Sequence, residues 1–533
     1  MSLRPRRHTL GDLLHRSAAR VPNKLAIACG DVRWTYAEFD RISDRLAAGL
    51  AEQGVSKGTR VAILARNSHA FAAMRFALAR LGAVLVPINV MLQAEEVAFI
   101  LRHAGVTMLA TDTALSSVAR GAAALTPAVP KLLWLPAEEP STPQPDMIDF
   151  DVLATCDAAT PDVTLDGNDL AQIVYTSGTE STPKGAMLTH DAIMWQYVSC
   201  IVDAGIACDD LTLHSMPLFH CAQLDVFFGP SIYVGATNVI TARPVPDNLL
   251  RMMARHQVTS LFAPPTVWIS LLRSRLFDAT DLSSLRKGYY GASIMPVEVL
   301  HELARRLPNV LFWNLYGQTE IAPLATVLGP EDQLRKAGSC GRAVLNVETR
   351  VVDESMCDVA PGKVGEIVHR SPHLMLGYLD DVERTAMAFH GGWFHSGDLA
   401  TVDEEGYITV VDRQKDMVKT GGENVASREV EEVLYRLPQV SEVAVIGVPH
   451  PRWIEAVVAV VVTKEGHSLT ALEVQAHCAA SMASFKVPKG VVFVDALPKN
   501  PSGKLLKRQL RQTHATLFMA GHITEVGGNS STR

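Results

Sequence analysis

The chain has 533 residues, 48% of them hydrophobic and 20% charged, with a formal net charge of −7 at pH 7. Length alone allows roughly three or four compact units with sizeable cores. The acidic balance speaks against a nucleic-acid-binding surface, and no span approaches the roughly 18 apolar residues of a membrane helix.

Arg4, Arg6 and Arg7 make a basic start, but no hydrophobic block follows, so the segment does not read as a secretory signal. Thr35-x-x-Glu38 is a capping box predicting a helix with Phe39, Ile42, Leu46 and Leu50 on one face and Gly54 at its end. Short apolar runs at 61–64 and 84–86 predict strands. Pro136 to Pro145, rich in proline and acid, reads as an exposed excursion. A further apolar run, 172–175, delivers a Ser/Thr/Gly-rich turn at a strand end, where open α/β sheets bind ligands.

Tyr407 to Val411 reads as a strand, and a boundary falls near Asp412–Lys415. Beyond it come a Gly421-Gly422 turn, a helix carrying Val430, Val433, Leu434 and Leu437, and strands at 443–448 and 457–462. The expected fold class is therefore α/β: a large N-terminal domain, 1–412, of sheets and helices, and a small mobile α/β domain, 413–533. Residues from about Leu517 lack periodicity and read as frayed. The eight cysteines are scattered without a C-x-x-C pair, which predicts reduced, mostly buried thiols of a cytoplasmic protein.

The most informative stretch is Tyr175-Thr-Ser-Gly-Thr-Glu-Ser-Thr-Pro-Lys-Gly185. Gly178, the hydroxyls of Thr176, Ser177, Thr179, Ser181 and Thr182, and Lys184 offer close backbone approach, hydroxyl donors and a cation, as a polyphosphate requires. The lysine is not followed by Ser or Thr, so this is not the common NTPase P-loop. On composition alone a solvated loop is an equal reading.

Four more segments tip that balance: Tyr316-Gly-Gln-Thr-Glu320, Trp393-Phe-His-Ser-Gly-Asp-Leu399, Asp412-Arg-Gln-Lys-Asp-Met-Val-Lys-Thr-Gly-Gly-Glu-Asn424 and Pro498-Lys-Asn-Pro-Ser-Gly-Lys504. In order and spacing the set resembles the adenylate-forming superfamily, and within it the acyl-CoA synthetase branch that includes AMP-forming fatty acid–CoA ligases. The resemblance runs from about Thr35 to Lys507. It implies a two-step reaction with ATP, Mg²⁺ and coenzyme A: carboxylate and ATP give acyl-AMP and pyrophosphate, then the CoA thiol displaces AMP.

The resemblance also implies roles. Lys504 is the catalytic lysine bridging carboxylate, α-phosphate and ribose, with His220 and Thr319 beside the reacting groups. Glu320 and Thr179 hold Mg²⁺. Thr176, Ser177, Gly178, Thr179 and Lys184 bind phosphate; Gly291, Ala292, Ser293, Tyr316 and Gly317 line the adenine site, with Tyr316 stacking on the base. Asp398 holds the ribose, and Arg413 contacts ribose or phosphate. Lys415 is the hinge about which the small domain turns, replacing Lys504 with Lys419, Gly421, Gly422 and Glu423 beside the CoA channel; Trp453 either borders that channel or simply packs. The chain departs from the commonest pattern in having Glu180-Ser181 where a Thr-Gly pair stands; Ser181 and Thr182 restore hydroxyls there.

Phe219, Val226, Phe227, Phe262 and Trp268 are the expected acyl wall, although each equally suits a core. His220, neutral, cannot pair with an α-ammonium as the Asp of amino-acid-activating members does, which disfavours an amino acid substrate. Asp225 either caps a helix or reads a polar group of the substrate. Similarity to segments of bacterial fatty acyl-CoA ligases favours a medium- or long-chain fatty acid. Two rival readings stand beside this: adenylation with transfer to a carrier protein, an amine or another acceptor, and a non-catalytic lipid- or nucleotide-binding protein. The expected partners are a small carboxylic acid, ATP and CoA, with no nucleic acid; no motif sets the oligomeric state, and a homodimer is one of the states open to it.

Overall fold

The capping box forms as the sequence predicts. Glu38 accepts from the Thr35 amide at 2.8 Å and its own amide donates to Thr35 Oγ1 at 3.3 Å, starting the helix Tyr36–Glu52 with Phe39, Leu46 and Leu50 buried. The computed structural model describes residues 7–518 except 129, 177–182, 294, 414–415, 421–422 and 502.

Two large sheets organise the first part of the chain. One runs, edge to edge, through the strands at Arg342–Ala343, Leu324–Leu328, Leu311–Gly317, Lys287–Gly291, Ser260–Phe262, Leu211–His214, Thr237–Ile240, Leu25–Cys29 and Val32–Thr35. Its interior pairs are parallel and its edges antiparallel. The other carries the strands Gly377–Tyr378, Lys184–Thr189, Leu170–Thr176, Val84–Pro87, Arg60–Leu64, Met108–Thr111, Lys131–Trp134 and Ile148–Asp149. Between them the helix His69–Leu81 is buried along its whole length, as a helix covered on all sides must be. It shares a core with Ile63 and Val174 of one sheet and Ile27 and Ile240 of the other.

A four-stranded antiparallel sheet, Glu348–Val352, Gly365–Arg370, Phe394–Val402 and Ile408–Arg413, follows. The small C-terminal sheet then begins at Val418–Thr420 and is built on the long hairpin Val440–His450 and Ile454–Thr463. The hairpin's side chains divide with period two. Val443, Val445, Val457 and Val461 pack toward the helices Ser427–Tyr435 and Ala471–Ser481, while Ala444, Ile446, Val458 and Val460 pack toward Leu510. The fold is thus the expected α/β pair of a large and a small unit.

Two expectations need adjusting. The excursion from Pro136 is anchored, because the Glu138 carboxylate accepts from the Ala242 amide at 2.7 Å and from Thr241 Oγ1 at 3.0 Å. Leu517 and Phe518 are not frayed: both pack on the small unit's core, Phe518 edge-on to His450 at 5.0 Å.

Candidate active site

The strand Leu311–Gly317 carries the expected nucleotide-side residues at its end. Tyr316 Oη donates to Asp398 Oδ2 at 2.7 Å, and Gln318 Nε2 donates to the same oxygen at 2.8 Å. Burial, then the Asp398 charge, raises the Tyr316 phenol well above its ordinary range, so it remains a donor. Gly317 admits no side chain: a Cβ there would lie 1.8 Å from the Pro323 carbonyl oxygen. Gly291 pairs with Leu315 across the neighbouring strand, and Ala292 takes a left-handed φ of +62°, turning Ser293 out of the sheet. Asp398 lies opposite Arg413 in the four-stranded sheet; the Arg413 side chain is outside the described part.

Two residues on, the chain turns to the reacting groups. Glu320 Oε1 accepts from Tyr378 Oη at 2.8 Å, and Lys184 Nζ stands 5.3 Å from the centre of the Tyr378 ring. Thr176 pairs with Lys184 at the mouth of a hairpin, whose connecting residues, Ser177, Gly178, Thr179, Glu180, Ser181 and Thr182, lie outside the described residues. Tyr378 thus joins the expected phosphate lysine to the expected metal ligand, and sequence reading missed it. The only local signal was a Gly377-Tyr378 pair, and it becomes meaningful only through pairing with the strand Lys184–Thr189.

Thr319 Oγ1 lies 3.4 Å from Cys221 Sγ, which ties the segment after His220 to this turn. Burial pushes the Cys221 thiol up to about 12, so it stays protonated. His220 Nδ1 accepts from the Ala222 amide at 3.1 Å, which leaves the proton of the neutral ring on Nε2. Burial and then the charge of Lys504 lower His220 to about 4.

Lys504 reaches this place on a pinned turn. Its amide donates to Asn500 Oδ1 at 2.8 Å and its carbonyl accepts from the Asn500 amide at 2.9 Å. Gly503, at φ +78°, presents its carbonyl to Thr266 Oγ1 of the large unit at 2.8 Å. A Cβ at Gly503 would meet Pro264 at 2.5 Å, so glycine permits this docking.

On the acyl side, Phe227 stacks on Phe262 at 4.5 Å, and Val226 belongs to the same cluster. Phe219 packs elsewhere, with Leu218 and Phe228. Trp268 is a correction. Its helix, Pro265–Arg273, turns the indole to the other face of the sheet, edge-on to Phe312 at 5.3 Å, with Nε1 donating to the Tyr289 carbonyl. Asp225 does not cap a helix. It sits fully buried in the π-helical turn Ala222–Phe228, accepting from Gln172 at 2.7 Å, Arg75 at 3.0 Å and Tyr197 at 3.2 Å.

Lys419 and Glu423 stand exposed on the paired strands that open the small sheet; Lys415, Gly421 and Gly422 lie outside the described residues. Trp453 stacks on His450 at 4.3 Å with Lys489 Nζ 5.4 Å from its ring. Among the described residues no group of three His, Cys, Asp or Glu could hold a metal. Glu320 offers a hard carboxylate beside a threonine hydroxyl, a donor set that fits Mg²⁺ shared with substrate phosphates rather than caged by protein.

Comparison with known proteins agrees with this geometry. Residues 14–379 match the model of the AMP-binding enzyme family, and residues 429–504 match the AMP-binding enzyme C-terminal domain. The chain belongs to the AMP-binding enzyme family. It is an AMP-forming acyl-CoA synthetase of the adenylate-forming superfamily, and its activity is that of an acid–CoA ligase. A feruloyl-CoA synthase of an Amycolatopsis species is 38% identical over 95% of this chain and 99% of its own length. A long-chain-fatty-acid–CoA ligase of Mycobacterium tuberculosis is 35% identical over 91% of this chain and 94% of its own. Among solved structures, an anthranilate CoA ligase in complex with anthranoyl-AMP superposes with a TM-score of 0.89 at 26% identity, covering 96% of this chain and 98% of that one. This synthetase has, among its described residues, no helix long and apolar enough to cross a membrane.

Proposed function

We propose that this synthetase activates a monocarboxylic acid with an uncharged tail and transfers it to coenzyme A. In the first step a carboxylate oxygen attacks the α-phosphorus of ATP; the bond to the bridging oxygen of the β-phosphate breaks and pyrophosphate leaves. In the second the CoA thiolate attacks the acyl carbon and AMP leaves with the electron pair of the cleaved C–O bond. Lys504 neutralises charge gathering between carboxylate and α-phosphate, and Thr319 donates to the same phosphate. His220, neutral with its proton on Nε2, donates without adding charge. Asp398 and Arg413 hold the ribose, Tyr316 presents its ring to the adenine, and Lys184 meets the outer phosphates with the loop 176–179. Mg²⁺, held by Glu320 and Thr179 together with ATP, would supply the remaining charge neutralisation.

The observation that carries this reading is the docking of the Asn500–Lys504 turn. Thr266 Oγ1 donates to the Gly503 carbonyl of that turn at 2.8 Å, and the Lys504 charge helps to lower His220. A lysine brought across from a separate unit into a cleft that otherwise gathers anions needs a reason, and adenylation supplies one. We place the division between units at 412/413 with Lys415 as pivot, and assign Lys419, Gly421, Gly422 and Glu423 to the CoA-facing surface. The relatives' names span aryl, indolyl and fatty acids.

The test is product analysis from purified protein, ATP, Mg²⁺ and a panel of acids, with and without CoA. Acyl-CoA and AMP are expected together. Acyl adenylate that accumulates and ignores CoA would instead identify another acceptor.

A further inference from the structure

The strands Lys287–Gly291 and Leu311–Gly317 pair in parallel, with Tyr289 opposite Trp313 and Gly291 opposite Leu315. Side chains of one face recur every second residue, about 6.7 Å apart along a strand. From the cleft downward, this face therefore reads Gly317, then Leu315, then Trp313, with Gly291 above Tyr289 alongside. The first layer carries glycine on both strands, with backbone carbonyls close to where each Cβ would stand; the two layers below it are filled by side chains.

The filling is continuous. Phe262 stacks on Phe227 at 4.5 Å, Phe227 lies 5.1 Å from Tyr289, and Tyr289 stacks on Trp313 at 5.1 Å. The far wall closes on the same rings: Tyr289 Oη donates to the Ala204 carbonyl at 2.8 Å, and a Cβ on Gly205 would touch the Trp313 ring at 3.6 Å. The rings thus reach from the sheet to the end of the helix His190–Asp203. The π-helical turn that brings Phe227 begins directly after His220 and Cys221, and Cys221 contacts Thr319, so the filled layers lie beneath the reacting groups.

We infer that Leu315 and Trp313 set the floor of the acyl site, and that the substrate is a compact acid whose tail is uncharged and no larger than about one aromatic ring with a short linker. This rests on the adenylating role of the cleft. A long alkyl chain would have to displace the Phe262–Phe227–Tyr289–Trp313 stack, whereas an aryl or short branched tail fits against Leu315 and the ring edges.

The experiment measures kcat/KM of the full-length protein for benzoate, phenylacetate, 4-methylpentanoate, dodecanoate and hexadecanoate, in the native chain and in Trp313→Ala and Trp313→Phe. The native chain is expected to favour the compact acids over hexadecanoate by about 100-fold, the scale at which a closed pocket discriminates. Trp313→Ala should raise dodecanoate turnover about 10-fold and lower that of phenylacetate; Trp313→Phe should lie between. Should Trp313→Ala not fold by its melting curve, Trp313→Phe carries the test alone, with a smaller shift in the same direction. Equal turnover of hexadecanoate and phenylacetate by the native chain, or no change of preference in a folded variant, would overturn the floor. No adenylate or thioester from any acid in any variant would instead remove the ligase reading on which the floor depends.

Discussion

The two walls of the cleft are built in different ways. On the nucleotide side, polar groups converge on single atoms: Tyr316 and Gln318 both donate to one Asp398 oxygen, and Tyr378 links Glu320 to Lys184. On the acyl side, rings from four separate elements stack into a layer, and the nearby charge is neutralised within the protein by the Arg75–Asp225 pair. In the proposed reading the nucleotide wall answers to ATP, whose groups are fixed, and so consists of positioned donors and acceptors. The acyl wall answers to packing and shape. Substitutions should therefore separate: those on the first wall change rates more than stability, those on the second the reverse.

The largest effect is expected from Lys504→Ala. Removing a preorganised charge from a developing oxyanion costs roughly 10²–10³ in rate or more. Adenylation should fall at least that far, while thioester formation from supplied acyl adenylate persists and the melting temperature hardly moves. Equal loss in both half-reactions would mean that Lys504 does not belong to the first step alone.

Acid should act on both walls at once. His69, His190, His214, His220, His369 and His373 are each lowered to about 4, chiefly by burial. In the unfolded chain they titrate near 6.5. Between these values the unfolded state holds more protons, so their contribution is complete above about pH 6.5 and is lost as pH falls toward 4, on the order of 3 kcal/mol per histidine at most. Denaturant titrations across this window should show stability falling steeply with acid. A flat profile would mean that the histidines open to water without unfolding. Replacing His220 alone should remove about one proton from the uptake and leave the rest.

Asp225→Ala is the counterpart on the acyl side. It leaves Arg75, itself buried, with its charge unpaired, which typically costs about 3–5 kcal/mol. Chemical denaturation should report that loss, with KM for ATP unchanged in whatever protein remains folded. A stable variant with altered acid preference would return Asp225 to the substrate.

The same contrast explains what could be read from sequence. The Thr35–Glu38 box, the strand before Lys184 and the apolar strands at 443–448 and 457–462 are local patterns, and each formed where its residues predicted. Tyr316, Thr319, Glu320, Asp398 and Lys504 stood out because their segments resemble family motifs in order and spacing, and the fold brings those segments near one another. Tyr378 was invisible because it acts through a two-residue strand paired with a segment nearly two hundred positions earlier. Trp268 was misplaced because one helical position decides which face of a sheet a side chain meets. Asp225 could not be read because its partners stand at 75, 172 and 197. Apolar stacking leaves no spacing rule behind, so the ring layer beneath His220 emerges only when the strands are paired.

The smallest expected effect is the finest test of the division. Asp398 has two roles on offer: an acceptor for Tyr316 and Gln318 that builds the wall, and an acceptor for ribose hydroxyls. Asp398→Asn keeps the size and an oxygen for Tyr316 but removes the charge. A charge-assisted hydrogen bond is worth roughly twice a neutral one, so loss of the ligand role should raise KM for ATP about 10-fold, or about 1.4 kcal/mol. The melting temperature should stay near that of the native chain, because the neutral bonds within the wall survive. If the melting temperature falls while KM for ATP holds, Asp398 is architecture like Asp225, and the nucleotide wall is then packed for shape in the same way as the acyl wall.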